Sequence, residues 1–194
     1  MLQTIIKHLS DAIYSHTERT IPLAVHRHTS DGKVYPCVYI GKGQYKEINI
    51  DNFDGLSYFR QVSKTTTSEA EGHRPLADLI RFVYSLRVVT TIKNESFGKD
   101  DSFASDTIAL SIIKDLVKNP LQLKQQLKAN SLLIVCESYD SNVKDILAEE
   151  YKGIERLKNS IPYEYSMVAI DFKCEVVVSA SCIDLLCNAI ENNV

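Results

Sequence analysis

Two long runs of alternating side chains constrain the fold of this chain more than any other feature. From Ile80 to Ile92 every second residue is apolar, aromatic or threonine, and a similar period returns over Tyr163–Val178. Successive side chains of a β-strand point to opposite faces, so the period predicts two strands about twice the usual length. Their second faces mix apolar residues with charged ones, including Arg81 and Arg87. Such a face is typical of a sheet that packs against a neighbouring molecule.

Three other segments predict further strands. Residues 21–50 predict a three-stranded meander, because an Asp31-Gly32 turn separates two β-rich runs and Gly41-Lys42-Gly43 turns the chain again. Leu132–Cys136 is apolar throughout, which predicts a short strand covered on both faces.

Helical spacing of apolar residues predicts the remaining elements. An amphipathic helix is expected over Leu2–Tyr14, and a second is expected from a cap at Asp101 or Ser102 to Asn119. Polar and C-terminal helices are expected over Val143–Tyr151 and Ile183–Ile190, with a further turn or two after Leu121. The order predicts an α+β fold: a mixed, mainly antiparallel sheet with two long strands, flanked by an N-terminal helix and two or three further helices.

The chain of 194 residues is expected to form one domain, 1–194. Within it, residues 51–75 show no clear period, and 63–75 are mostly small and polar. A stretch of this length without regular structure is usually functional or mobile, so a mobile or interface loop is expected at 51–75.

Composition argues against several classes of partner. Net charge is −3, with 22 basic residues among 25 acidic ones, whereas nucleic-acid binding depends on basic clusters. No specific nucleic-acid binding is therefore predicted. No run approaches the roughly 20 apolar residues that span a bilayer, and the first residues lack a signal-peptide pattern. No membrane association is expected, and the chain is expected to stay in the cytoplasm where it is made.

The sequence contains no catalytic or cofactor signature. The five cysteines are expected to be reduced, mostly core thiols, and the His26-x-His28 pair is expected to lie on a half-exposed surface. Asp171 and Lys173 resemble part of a metal-dependent nuclease site, but a solvated strand face explains the same residues. No catalytic, metal or cofactor residue is therefore predicted, and the protein is not expected to be an enzyme.

The arrangement of these elements resembles the tail-terminator (tail-completion) and neck, or head–tail joining, proteins of tailed bacteriophages. The matching parts are the helix Leu2–Tyr14, the hairpin through Asp31-Gly32, the loop Ser63–Pro75 and the two long strands. The final helix and the region Leu121–Gly153 depart from that arrangement. The resemblance implies a structural subunit of a virion that forms a homo-oligomeric ring, commonly a hexamer, and contacts other tail or neck proteins.

Interface residues are expected in the loop and on the mixed strand face: Lys64, Thr65, Thr66, Thr67, Ser68, Arg81 and Arg87. Two alternatives remain open at this stage. A monomeric intracellular adaptor or regulatory protein would share the lack of motifs, and a nuclease-like enzyme would need Asp171 and Lys173 to converge with further carboxylates.

Overall fold

The computed structural model of the chain contains one eight-stranded sheet, and helices pack on both faces of this sheet. The structure describes residues 1–13, 17, 19–50, 53–69, 79–94, 104–117, 120–154 and 165–180. The strands, in chain order, are β1 Arg19–His28, β2 Val34–Gly41, β3 Gln44–Glu47, β4 Gly55–Gln61, β5 Thr66–Glu69, β6 Leu79–Lys93, β7 Ser131–Asp140 and β8 Tyr165–Ser179. The helices are α1 Leu2–Ile13, α2 Ala104–Leu116, α3 Pro120–Gln126 and α4 Val143–Glu150.

The strand order across the sheet is β3-β2-β1-β4-β6-β8-β7, and β5 pairs with β6 beyond the end of β4. The pairing of β1 with β4 is parallel, and the other described pairings are antiparallel. The predicted α+β fold with a mixed, mainly antiparallel sheet is confirmed. The meander is also confirmed, with Gly32 at φ 78° in the turn between β1 and β2.

The two predicted long strands pair with each other at the centre of the sheet. β6 and β8 each contain 15 residues, and their antiparallel register runs from Leu79 opposite Ser179 to Lys93 opposite Tyr165. At roughly 3.3 Å per residue this ladder is about 50 Å long. Its length decides how much helix is needed to cover each face.

Three helices cover one face, which we call the three-helix face. Apolar residues of α1, α2 and α3 form one core with alternate residues of the long strands, such as Leu86, Phe172 and Val176. Phe172 is 1% exposed, and its ring meets that of Phe59 edge-on, with 6.1 Å between centroids. The sequence alternation of β6 and β8 therefore supplies one dry face for the helices.

The opposite face, which we call the α4 face, is covered by the described elements over only part of its length. Ile146 and Leu147 of α4 pack with Tyr58, Val89 and other residues at one end of the ladder. An eight-residue helix is about 12 Å long, so α4 is far shorter than the strands beneath it. Toward the other end of the ladder, on this same face, the side chains of Leu133 and Val135 in β7 are 53% and 41% exposed.

The expectation that 51–75 lacks regular structure is wrong for its described part. Gly55–Gln61 forms β4, a buried inner strand between β1 and β6, and Thr66–Glu69 forms β5. Both faces of β4 are covered, so its sequence carries no alternation of apolar and polar residues. Residues 70–75 lie outside the described residues, as do the predicted helix Ile183–Ile190 and the cap at Asp101 or Ser102.

The expectation for Leu132–Cys136 is also wrong. β7 is ten residues long and forms the edge of the sheet beyond β8, with every second side chain of 131–135 exposed. Leu132, Ile134 and Cys136 are partly buried against the core of the three-helix face. The other face of the strand is left open because α4 does not reach it.

Replacing Phe172 with Ala should lower the free energy of unfolding by about 3–5 kcal/mol, because the large cavity cannot be refilled by neighbouring side chains. Urea titration followed by circular dichroism measures this difference. The matched control is Leu121→Ala on α3, where the side chain is 71% exposed. That control should stay within about 0.5 kcal/mol of the wild type. Equal losses for the two variants would contradict the assignment of the core to the three-helix face.

Candidate interaction surfaces and a buried charge network

A buried carboxylate at the end of α4 joins four elements of the fold. Glu150 is 0% exposed. It accepts hydrogen bonds from His26 Nε2 of β1 at 2.8 Å, from Arg60 Nη2 of β4 at 2.7 Å and from the Tyr58 hydroxyl at 3.1 Å. Because burial of an unpaired carboxylate is very unfavourable, these partners are what allow α4 to end against the sheet.

Arg87 of β6 extends this network across the sheet. Its guanidinium pairs with Glu149 and lies 3.5 Å from Glu150 Oε1, and its Nε lies 3.2 Å from Asp171 Oδ1 of β8. Asp171 also accepts a hydrogen bond from the Ser138 hydroxyl of β7 at 3.3 Å. The network thus fixes α4 against β6 and β8 and continues to β7.

The partners of Glu150 determine its ionisation. Burial alone would raise the pKa of this carboxyl, but hydrogen bonds from His26 and Arg60 outweigh burial and hold the pKa at about 2, below the ordinary 4.5. For Arg87, a cation, burial has the opposite effect and would lower the pKa. Its carboxylate partners, Glu149 first, outweigh burial and raise the pKa of Arg87 above its ordinary value. Both groups are therefore charged throughout the physiological pH range.

A cleft of about 470 Å³ opens beside this network, where α4 ends and the bare part of the α4 face begins. Its acidic lining residues are Glu137, Glu149 and Asp171. Each of them forms an ion pair within the chain. Lys173 Nζ lies 3.3 Å from Glu137, and Arg87 contacts Glu149 and Asp171. Across the described ranges, no group of three or more histidine, cysteine or acidic residues is placed to hold a metal ion. Each acidic side chain that lines the cleft therefore contacts a cation of the chain itself.

The predicted interface residues fall into two places. Thr66, Thr67 and Ser68 belong to β5, which pairs with Ile80–Val83 of β6, so that Ser68 lies opposite Arg81. Arg81 Nη2 contacts Glu175 Oε2 at 2.6 Å. Of the residues before β5, Lys64 is exposed and the Thr65 hydroxyl accepts a hydrogen bond from Gln61 at 3.0 Å.

Arg87 is separated from this group by six positions along β6, and it is 7% exposed. Its contacts lie within the chain, so it acts in the fold as part of the charge network. An interface role for the residues around β5 stays a prediction.

The edge strand β7 is one open surface of the molecule, which we call the β7 edge. It lies at one end of the described strand order, and Leu133, Val135 and Tyr139 are 53%, 41% and 45% exposed. Neither lysine, arginine nor proline occurs between Ser131 and Asp140. A bulge at Glu137 interrupts the register with β8 only after the first six residues.

The opposite end of the sheet carries a second open surface, which we call the β3 edge: β3, the turn before it and the adjoining exposed side chains of β1 and β2. Tyr39 and Tyr45 lie here with 5.3 Å between ring centroids, and the Arg27 guanidinium lies 6.0 Å above the Tyr45 ring. Every side chain of β3 is exposed. Val25 and Ile40 add further exposed apolar area beside them.

The histidine and cysteine expectations have mixed outcomes. His28 is exposed as predicted, whereas His26 is half-buried and holds Glu150, so the expectation that both are surface residues is wrong for His26. Cys37 and Cys174 are free and buried, as core thiols should be. Burial raises the pKa of the Cys174 thiol to about 12, which makes it unreactive.

Comparison with protein-family models and with curated proteins finds no match to this chain. None of the helices in the described ranges is long and apolar enough to cross a membrane.

Sequence reasoning missed the charge network because its members are far apart in the chain. His26, Arg60 and Glu150 show no common spacing in the sequence. One usable signal was present: Glu149-Glu150 at the end of α4 opposes the general preference for cations at that end of a helix. Acidic residues in that position indicate partners elsewhere in the structure.

The substitution Glu150→Gln should lower the free energy of unfolding at pH 7 by about 3 kcal/mol, because Arg60 loses its nearer, buried counter-charge and keeps only the half-exposed Glu149 at 3.3 Å. In the folded wild type the pKa of Glu150 is about 2, below its ordinary value of 4.5. Between these two values the unfolded chain therefore binds more protons than the folded chain. Wild-type stability should therefore fall as the pH is lowered from about 5 toward 2, and Glu150→Gln should flatten that dependence.

Urea titrations at several pH values test this expectation. The control is Asp145→Asn, which removes an exposed carboxylate from the same helix. It should shift stability by no more than about 0.5 kcal/mol and leave the wild-type pH dependence unchanged. Parallel pH curves for Glu150→Gln and the wild type would contradict the role assigned to Glu150.

Proposed function

We propose that this protein is a structural assembly subunit that acts through protein–protein interfaces and has no catalytic role. The observation that carries the proposal is the β7 edge, a ten-residue edge strand with three large exposed side chains. Unpaired N–H and C=O groups along an edge strand bind another strand readily, and exposed apolar side chains add to the affinity.

The composition of β7 supports an interface at this edge. Monomeric proteins protect their edges with lysine, proline, early bulges or short strands. The segment Ser131–Cys136 has no charged residue and no proline, and its bulge comes later, at Glu137. An unprotected edge of this kind would cause aggregation unless a partner normally covers it.

The assembly we propose is of the ring-forming tail-terminator or neck type, located in a virion, with copies of the chain and other tail or neck proteins as partners. Supporting features are the long central strands, the helices gathered mainly on one face and the bare part of the α4 face. Ring formation needs surfaces that join copies without a twofold axis between them. A contact without a twofold axis joins two different surfaces, and the two ends of this sheet carry different side chains.

The contacts of Asp171 and Lys173 give little support to the nuclease-like alternative. Asp171 is held by Arg87, and Lys173 is held by Glu137. A metal-dependent site would need carboxylates whose charge is free to bind the cation. The monomeric adaptor remains the main competitor, and it differs from the proposal in its solution mass.

Light scattering of the wild type across concentrations should show self-association, with rings visible by negative-stain microscopy. The double substitution Leu133→Lys and Val135→Lys should lower the mass to that of one chain. Two lysines on an edge strand oppose pairing with another strand, because removing their charges from water is unfavourable. The matched control is Leu110→Lys with Leu121→Lys, at helix positions 61% and 71% exposed. It adds the same charge on helices of the three-helix face, whereas Leu133 and Val135 lie on the α4 face, and it should keep the wild-type mass.

A wild type that stays monomeric at its highest usable concentration would favour the adaptor. An oligomer that survives the β7 substitutions would place the interface elsewhere on the molecule. Circular dichroism of each variant checks that the sheet remains folded.

A further inference from the structure

The exposed apolar and aromatic side chains of this chain gather at the two ends of its sheet. Eleven large ones are exposed in the described ranges, and seven of them belong to the β3 edge or the β7 edge. The seven are Val25, Tyr39, Ile40, Tyr45, Leu133, Val135 and Tyr139. Monomeric proteins usually place charge at sheet ends, and the β7 edge has none between Ser131 and Cys136, whereas the β3 edge combines exposed apolar side chains with lysines. Both ends therefore expose apolar area that a contact could bury.

We propose that copies of this chain associate head to tail, with the β7 edge of one copy adding to the β3 edge of the next. This inference rests on the proposed assembly function and specifies which surfaces meet. A single type of contact then covers both open ends of the sheet. Pairing two β7 edges about a twofold axis would leave the tyrosines of every β3 edge in water.

The charges of the two edges are complementary. β7 carries Asp140 and Glu137, of which Glu137 contacts Lys173 of β8 at 3.3 Å, and it has no basic residue of its own. The β3 edge carries Lys42, Lys46 and Arg27 against one carboxylate, Glu47. The basic surplus of the β3 edge therefore opposes β3–β3 pairing and favours contact with the β7 edge, which has no cation of its own.

The side chains are also of the kinds that make strong contacts. Tyrosine and arginine are enriched in the energetically dominant parts of interfaces, and the Tyr39–Tyr45 pair with Arg27 supplies both. Leu133 and Val135 offer branched apolar groups of the size that packs on aromatic rings. Strand addition would supply backbone hydrogen bonds in the same contact.

The geometry of such a contact determines the kind of assembly. The β3 and β7 edges lie at opposite ends of the described strand order, so each added copy again presents one free β7 edge and one free β3 edge. Heterologous contacts of this kind produce closed rings when the rotation between copies closes, and open filaments otherwise.

Mixing two blocked variants tests the pairing. The first carries Leu133→Lys and Val135→Lys in the β7 edge, and the second carries Tyr39→Glu and Tyr45→Glu in the β3 edge. Each variant alone should be monomeric by light scattering. Mixed in equal amounts, they should form a one-to-one heterodimer and grow no further, because each supplies the edge that the other lacks.

A control variant with Leu110→Glu and Leu121→Glu, in place of the β3-edge changes, should by itself keep the wild-type mass, because it leaves both edges intact. A wild-type oligomer that the Tyr39→Glu, Tyr45→Glu variant retains in full would overturn the head-to-tail pairing while leaving the assembly function standing. Blocked variants that are both monomeric but form no heterodimer would also overturn the pairing. A monomeric wild type would overturn the pairing and the proposed function together.

Discussion

The ladder between β6 and β8 is the constraint on which the rest of the structure depends. Its fifteen residue pairs extend about 50 Å. A helix rises about 1.5 Å per residue, so several helices are needed to cover a face of that length. On one face α1, α2 and α3 meet that need and form the larger core. On the other face α4 covers one end, and the remaining strand surface is left to water or to a partner.

The position of α4 is set by charge as well as by apolar packing. Ile146 and Leu147 fill the second core, and Glu150 then enters the sheet between side chains of β1 and β4. The network continues through Arg87 to Asp171, where the covered part of the face ends and the cleft begins. A buried network of this kind favours one placement of the helix over others of similar apolar content. It therefore also fixes how much of the α4 face remains exposed.

The open edges link this architecture to the proposed function. Because α4 and its charge partners lie at one end of the ladder, Leu133 and Val135 are left exposed on the last strand of the described order. At the far end of the sheet the short β3 strand leaves Tyr39 and Tyr45 equally exposed. The proposed subunit, which would extend its sheet into neighbouring copies, would use both features.

The sequence by itself determined the elements whose pattern is local. The alternation in 80–92 and 165–178, the helical spacing of α1 and the Asp31-Gly32 turn each depend on neighbouring residues, and each element formed where it was predicted. Only the tertiary structure decided the rest. β4 showed no period because both of its faces are covered, and β7 appeared doubly buried because an apolar run carries no information on which neighbours exist. The partners of Glu150 lie up to 124 residues away in the chain, so no local pattern reveals them. Burial, pairing and edge position are properties of what lies across space, and a linear spacing records only what lies along the chain.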